Sequence, residues 1–148
     1  MATVKGCLLP DDLLYDVANM LWYRDLGDGR YRVGGTMVAV GMAGEIVAAT
    51  PRRADRHLDA GQACAVIESG KLVSPAKVAF AGTIVESNED LMENPRWLNL
   101  DMYGKGWFVV LAADDPPAAR AALIGADAAV EPFLALMAET CFEGCGAA

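Results

Sequence analysis

The pentapeptide Ala43-Gly44-Glu45-Ile46-Val47 returns as Ala81-Gly82-Thr83-Ile84-Val85, and no other feature of the chain limits its possible folds as much. Each copy leads into a polar loop, a glycine and an apolar run. Asp59-Ala60-Gly61 and then Cys64 to Ile67 follow the first copy; Gly104-Lys105-Gly106 and then Trp107 to Leu111 follow the second. β-Branched and apolar residues behind a glycine suit a strand. Two strand–loop–strand halves predict a small β-sandwich with pseudo-two-fold symmetry. Alone, so short a match is as readily chance as duplication.

Between the halves lies Glu68-Ser69-Gly70-Lys71-Leu72-Val73-Ser74, bounded by the apolar runs Ala63 to Ile67 and Lys77 to Phe80. This reads as a hairpin whose tip holds one primary amine in solvent. A second hairpin is expected where Gly27-Asp28-Gly29 separates Trp22 to Leu26 from Arg30 to Gly34. Thr36 to Met42 fits either a helical turn ended by Gly44 or a buried strand. Asp11 to Leu21, acidic in its first turn, suggests a short helix. Ser87-Asn88-Glu89-Asp90 offers a cap and a helical turn, and Asn94-Pro95 starts another. After Asp114-Asp115-Pro116-Pro117 the composition turns to alanine. Ala118 to Leu123 and Ala128 to Thr140 then read as helices, with Val130, Phe133, Leu134 and Met137 forming an apolar stripe that suits core packing.

A chain of 148 residues with 54% hydrophobic content can bury one sizeable core, and residues 1–148 are expected to form a single domain. The net charge of −8, with no basic cluster interleaved by aromatics, disfavours nucleic acid and anionic membranes as partners. No apolar run approaches the ~18 residues of a membrane span, and the first residues lack a secretory apolar segment, so a cytoplasmic location is expected. Pro51 to His57 is a basic, polar loop, and His57 reads as a loop residue. The four cysteines are too scattered for a disulfide scaffold, and Cys64 reads as a buried thiol. With one histidine and no CxxC pair, no metal site is expected. The glycines suit turns and close packing, since no phosphate-binding motif is present.

Several segments together carry a resemblance. Trp22-Tyr23-Arg24, Gly27-Asp28-Gly29, Val33-Gly34-Gly35-Thr36, Gly44 to Val47, Ala60-Gly61-Gln62, Ala65 to Lys71, Asn94-Pro95 and Tyr103-Gly104-Lys105-Gly106-Trp107 occur in the order and with the spacing of the glycine cleavage H proteins, which the chain resembles. The resemblance implies a mainly β, barrel-sandwich hybrid of the lipoyl/biotinyl type. Its core would cover about 22–111, with a helical C-terminal extension over 116–143. It also implies that Lys71 is the attachment point for lipoate, with Glu68, Ser69 and Gly70 forming the attachment hairpin. The protein would be a carrier served by a lipoate-protein ligase, with the chemistry done by cofactor and partner enzymes rather than by the chain itself. Biotin is the nearest competing cofactor, but biotinyl domains usually place methionine on both sides of the lysine, and here the neighbours are Gly70 and Leu72.

Departures from the H-protein pattern cluster near the expected arm. A His-Glu pair usually precedes the tryptophan, and its glutamate helps hold a cationic aminomethyl load; here Met20-Leu21 stands there. Gly70 replaces a common valine, and Pro75 a common aspartate. Leu21 is thus a candidate for packing an uncharged arm. With the opening Gly6 to Leu13, these changes are similar to the lipoate-binding proteins of the bacterial sulfur-oxidising, heterodisulfide-reductase-like pathway. That similarity implies a lipoyl arm carrying sulfur intermediates, with the heterodisulfide-reductase-like complex as partner. Cys141 and Cys145 are then candidate redox residues: two tail thiols without a role, a disulfide, or a relay passing sulfur to the arm. The alternatives are a glycine cleavage H protein carrying aminomethyl groups, and a module of this fold that is never lipoylated and serves interaction or regulation.

Overall fold

A computed structural model describes residues 1–146. Strands β1 (Ala2–Val4) and β2 (Cys7–Leu9) form an N-terminal hairpin. They are followed by β3 (Leu14–Asp16), β4 (Leu21–Gly27) and β5 (Arg30–Gly35), then helix α1 (Met37–Ala43). Strands β6 (Ile46–Pro51), β7 (His57–Leu58), β8 (Ala63–Ser69), β9 (Val73–Lys77) and β10 (Gly82–Ser87) come next. A 3-10 turn (Glu89–Met92) and helix α2 (Trp97–Leu100) lead to β11 (Val109–Ala113), α3 (Pro116–Ala121) and α4 (Ala126–Thr140).

The strands form a six-stranded sheet, ordered β3-β4-β5-β11-β10-β7, and a three-stranded sheet, ordered β6-β8-β9. Tyr23, Val33, Ile84 and Leu111 of the larger sheet and Ile46, Ala65 and Ile67 of the smaller one share one buried core. This is the mainly β architecture with C-terminal helices expected from the sequence. A second apolar cluster lies outside that sandwich, where Phe133 and Met137 of α4 meet Val4, Leu9, Leu13 and Tyr15. The α4 stripe is therefore core, although its buried positions are Ala126, Ala129, Phe133 and Met137, with Val130 and Leu134 at the margin.

The pentapeptide echo survives in backbone geometry. Ile46 pairs with Ser69, and the register slips by one residue before Ala48 pairs with Glu68; Ile84 pairs with Leu111, and the register slips again before Glu86 pairs with Val110. Both copies thus place a bulge at the same point, on Val47 and on Val85. In both, the isoleucine is buried and the valine is exposed. One copy lies in each sheet, as two facing halves require.

Two local expectations change, and one open alternative is settled. Asp11 to Leu21 holds no helix: Leu13 and Tyr15 are buried with an exposed or half-buried residue between them, a period of two, and β3 pairs with the apolar start of β4. Thr36 to Met42 resolves as a helix, because the Thr36 hydroxyl accepts the Ala39 N–H and Gly44 ends the helix at φ 86°. Asn88 does not cap its turn; its Nδ2 donates to the carbonyls of Lys105 and Trp107, tying the Gly104-Lys105-Gly106 loop in place.

The C-terminal segment is fastened by a disulfide between Cys7 and Cys145, with Cα atoms 4.9 Å apart. A disulfide between Cys141 and Cys145 is therefore not formed, and Cys141 is an exposed free thiol. Gly144, in the left-handed region at φ 119°, turns the chain back over the first hairpin, where the Cys145 N–H donates to the Lys5 carbonyl.

Candidate functional site

The turn between β8 and β9 is built by one side chain. The Ser69 hydroxyl accepts the N–H groups of Lys71 (3.2 Å) and Leu72 (3.3 Å), while the Ser69 N–H donates to the Leu72 carbonyl at 2.9 Å. A serine that satisfies two turn N–H groups fixes the backbone without covering it. Lys71 stands at the tip, exposed to solvent. Glu68 is exposed one step down the stalk, between Ala48 and Val73. A Cβ on Gly70 would meet no atom within 4 Å, so that position is small without any steric need to be.

The lysine stem leans on the α1–β6 junction. A Cβ on Gly44 would lie 3.7 Å from Lys71 Cε, and the φ of 86° at Gly44 favours glycine there. That junction is clamped by Asn99 of α2, whose Oδ1 accepts the Ile46 N–H and whose Nδ2 donates to the Gly44 carbonyl, both at 2.9 Å. An Arg96–Glu45 ion pair at 2.9 Å joins the same two elements at the surface. Sequence reasoning missed Asn99, because a polar residue on a short exposed helix carries no pattern.

Beside the hairpin opens a cleft of about 80 Å³. Leu72 and Pro75 line it from the hairpin, Ala39 and Met42 from α1, and buried Leu21, Ile67 and Phe108 add to its apolar lining. Its polar lining is confined to Asn19 and Ser74, and no ionisable side chain contributes. Met20, also in the lining, holds the left-handed region at φ 57°, where the Thr36 N–H and hydroxyl both donate to its carbonyl. A methionine there is strained locally and retained by those two bonds.

Leu21 and Pro75, distant in sequence, therefore share one cleft with the lysine turn. Leu21 is buried at 3% exposure and lines the cleft, so the side chain at 21 contributes to the polarity met inside. Cys141 and Cys145 line no part of the cleft. Cys145 lies behind α1, where a Cβ on Gly41 would sit 3.3 Å from its sulfur. The remaining cysteine is chemically quiet: burial pushes the Cys64 thiol up to about 12. His57, on the larger sheet's edge strand β7, is exposed, is bonded to Asp114 at 2.7 Å, and lines no part of the cleft. No group of three or more potential metal ligands occurs among the described residues.

The Trp22 and Tyr103 segments hold the cleft from behind. The Trp22 indole N–H donates to the Met102 carbonyl at 3.0 Å, and a Cβ on Gly34 would fall 2.4 Å from the indole ring. The Tyr103 hydroxyl accepts the Met37 N–H at 3.0 Å and donates to the Leu8 carbonyl at 2.6 Å. Its ionisation is pushed up to about 12 by burial, so it remains a donor at neutral pH. These residues position α1 and are scaffold to the lysine turn.

Residues 13–134 match the family model described as glycine cleavage H-protein. Glycine cleavage system H protein 5 of Aquifex aeolicus is 41% identical over 135 residues, covering 88% of this chain and 90% of that protein. A probable glycine cleavage system H protein 2 of Sulfurisphaera tokodaii is 32% identical over 130 residues, covering 86% and 88%. The crystal structure of a glycine cleavage system H protein from Mycobacterium marinum superposes with a TM-score of 0.72 at 28% identity, covering 84% of this chain and 98% of that one.

Proposed function

Because the chain belongs to the glycine cleavage H-protein family, whose members carry lipoate covalently on a lysine, we propose that Lys71 is the lysine that carries it here. The residues present fit the group. An exposed amine on a turn held by Ser69 is open to a lipoate-protein ligase, and the neighbouring cleft is apolar enough to receive an aliphatic arm. When bound, lipoate supplies two sulfurs that accept and release a group by thiol–disulfide exchange. Ser69 holds the turn, Asn99 holds the α1–β6 junction beside the lysine stem, and Leu21, Leu72 and Phe108 give the cleft its apolar lining. The chain itself catalyses nothing in this reading; it acts as a carrier, within the cytoplasm, between partner enzymes.

We propose further that the load is a sulfur intermediate of sulfur oxidation, passed to a heterodisulfide-reductase-like complex. The observation that carries this reading is the cleft's lining: Leu21 and Pro75 leave it without any carboxylate. Placing an unpaired ammonium in such a site costs several kcal/mol, whereas a neutral, polarisable sulfur group is accommodated. The second reading, an aminomethyl carrier of glycine cleavage, is favoured by the names of the relatives. One experiment separates them. Protein lipoylated on Lys71, confirmed by intact mass and peptide mapping, is tested for support of glycine decarboxylase exchange. Little or no exchange is expected; activity equal to that of an authentic H protein would overturn the sulfur assignment. Absence of any lipoyl increment on the Lys71 peptide, in a host with the cognate ligase, would instead favour an unmodified interaction module.

A further inference from the structure

At the end of the three-stranded sheet remote from Lys71, the loop leaving β6 gathers Arg52, Arg53 and Arg56 within five positions of a chain whose net charge is −8. Pro51 pairs with Ala65 while Ile46 pairs with Ser69, so the loop lies five residues along β6 from the lysine turn, roughly 17 Å at strand rise. The loop backbone is fastened at three points: the Arg52 N–H donates to the Cys64 carbonyl (2.8 Å), the Asp55 N–H to the Ile84 carbonyl (2.7 Å), and the Ile84 N–H to the Arg56 carbonyl (2.8 Å). Among the described residues, none of these guanidinium groups makes an ion pair or a side-chain hydrogen bond. They border an open groove of about 500 Å³ whose lining also holds exposed Val66 and one exposed carboxylate, Asp55, against the three arginines. Lys77, opposite Ala63 in the ladder, adds a fourth cation at the same end of the sheet.

We propose that this groove is a docking site for an acidic segment of another protein, which holds a partner while leaving the Lys71 end free. Charge complementarity specifies the occupant. Arginines fixed on a tethered loop lose little freedom on pairing with carboxylates, and their planar forks match carboxylate geometry. The groove's openness suits a polypeptide side chain array better than an enclosed small anion. A nucleic acid would extend beyond these few cations onto a surface of its own sign. An apolar contact at Val66 adds the dry centre that a peptide with an acidic stretch beside an apolar residue would use. The site does not depend on what Lys71 carries.

The test uses the full chain and a fluorescein-labelled peptide of six glutamates followed by leucine. Anisotropy is expected to show saturable binding at about 50 mM NaCl that weakens markedly by about 300 mM, as exposed charge pairs require. The Arg53→Glu/Arg56→Glu variant is expected to bind roughly tenfold more weakly, with Arg53→Gln/Arg56→Gln intermediate. Both side chains are exposed, and an unchanged melting temperature confirms that each variant is folded. Amide shifts on titration are expected on Arg52 to Arg56 and Val66, and not on Ser69 to Leu72. Absence of saturable binding, wild-type affinity in the Glu variant, or shifts centred elsewhere overturns the proposal. So does an oligothymidylate that binds as tightly as the peptide, inorganic phosphate that displaces the peptide at equal concentration, or self-association abolished by the same substitutions.

Discussion

Lys71 and Ala113 occupy corresponding places in the two halves of the molecule, and their different fates show how an accessible amine is made from a repeated scaffold. With Ile46 opposite Ser69 and Ile84 opposite Leu111, counting two residues onward from each partner arrives at Lys71 and Ala113. In the second half the ladder continues, with Gly82 paired to Ala113, and the chain is then closed over: the Ala113 N–H donates to the Gly29 carbonyl, the Asp114 N–H to the Ala81 carbonyl, and Asp115 caps α3. In the first half the ladder stops at Ile46, Ser69 turns the chain back, and Lys71 is left exposed at the tip. One half spends its hydrogen bonds on closure; the other leaves a primary amine accessible. Accessibility here is thus a property of where pairing ends.

The comparison can be broken or sharpened by substitution. The largest effect is expected from Lys71→Arg, which preserves the charge yet removes the acylable amine; all lipoyl mass increment should disappear, as read by intact mass spectrometry after expression with the ligase. In that background Ala113→Lys should not restore it, because the second turn is bonded shut; a lipoyl adduct on residue 113 would show that pairing is irrelevant to recognition. Asn99→Ala should cost about 1–3 kcal/mol, since it leaves the Ile46 N–H and Gly44 carbonyl without their partner, and it should broaden the amide signals of Gly44 and Lys71. On the closed side, Asp115→Ala should cost about 1 kcal/mol through loss of the α3 cap, measured by denaturant unfolding, with lipoylation unchanged.

The smallest effect concerns pH. His57 lies on the closed half, and its hydrogen bond to Asp114 raises its pKa in the folded chain above 6.5. A raised folded value means that the bond's contribution is fully present below the unfolded value and is lost as pH rises through the folded one. Wild type should therefore lose a small stability increment between slightly acidic and slightly alkaline pH that His57→Gln does not lose. Equal pH profiles for the two proteins would remove His57 from any role in closing that half.

Much of this contrast was legible in the sequence, and what was not has a physical cause. The echo, the lysine turn and the C-terminal helices follow from local pattern, where glycine, alternation and alanine content act within a few residues. The conjunction of Leu21 with Pro75 was readable only through family resemblance, since side chains on β4 and β9 meet by sheet packing. Asp11 to Leu21 misled because acidic residues at a helix start and at a solvent-facing edge strand look alike; pairing with β4 decides between them. The bulges at Val47 and Val85, the Asn99 clamp and the choice of Cys7 as partner for Cys145 depend on contacts between segments far apart in the chain, for which no single stretch bears a mark.

The Cys7–Cys145 bond spans 138 residues, almost the whole polypeptide, and turns it into a covalent ring with both sheets and the lysine turn on its circumference. A single backbone cut in an exposed loop of the ring leaves two segments still joined by the disulfide, with the mass of one added water, until that bond is reduced. Closing so long a loop removes on the order of 5 kcal/mol of chain entropy from the unfolded state. Reduction of this bond opens the ring, and the segment after α4 is then held to the first hairpin and α1 by the Cys145 N–H bond to the Lys5 carbonyl and the packing of Phe142 on Gly41. The same polypeptide is thus a loop while the bond stands and a line once it is reduced.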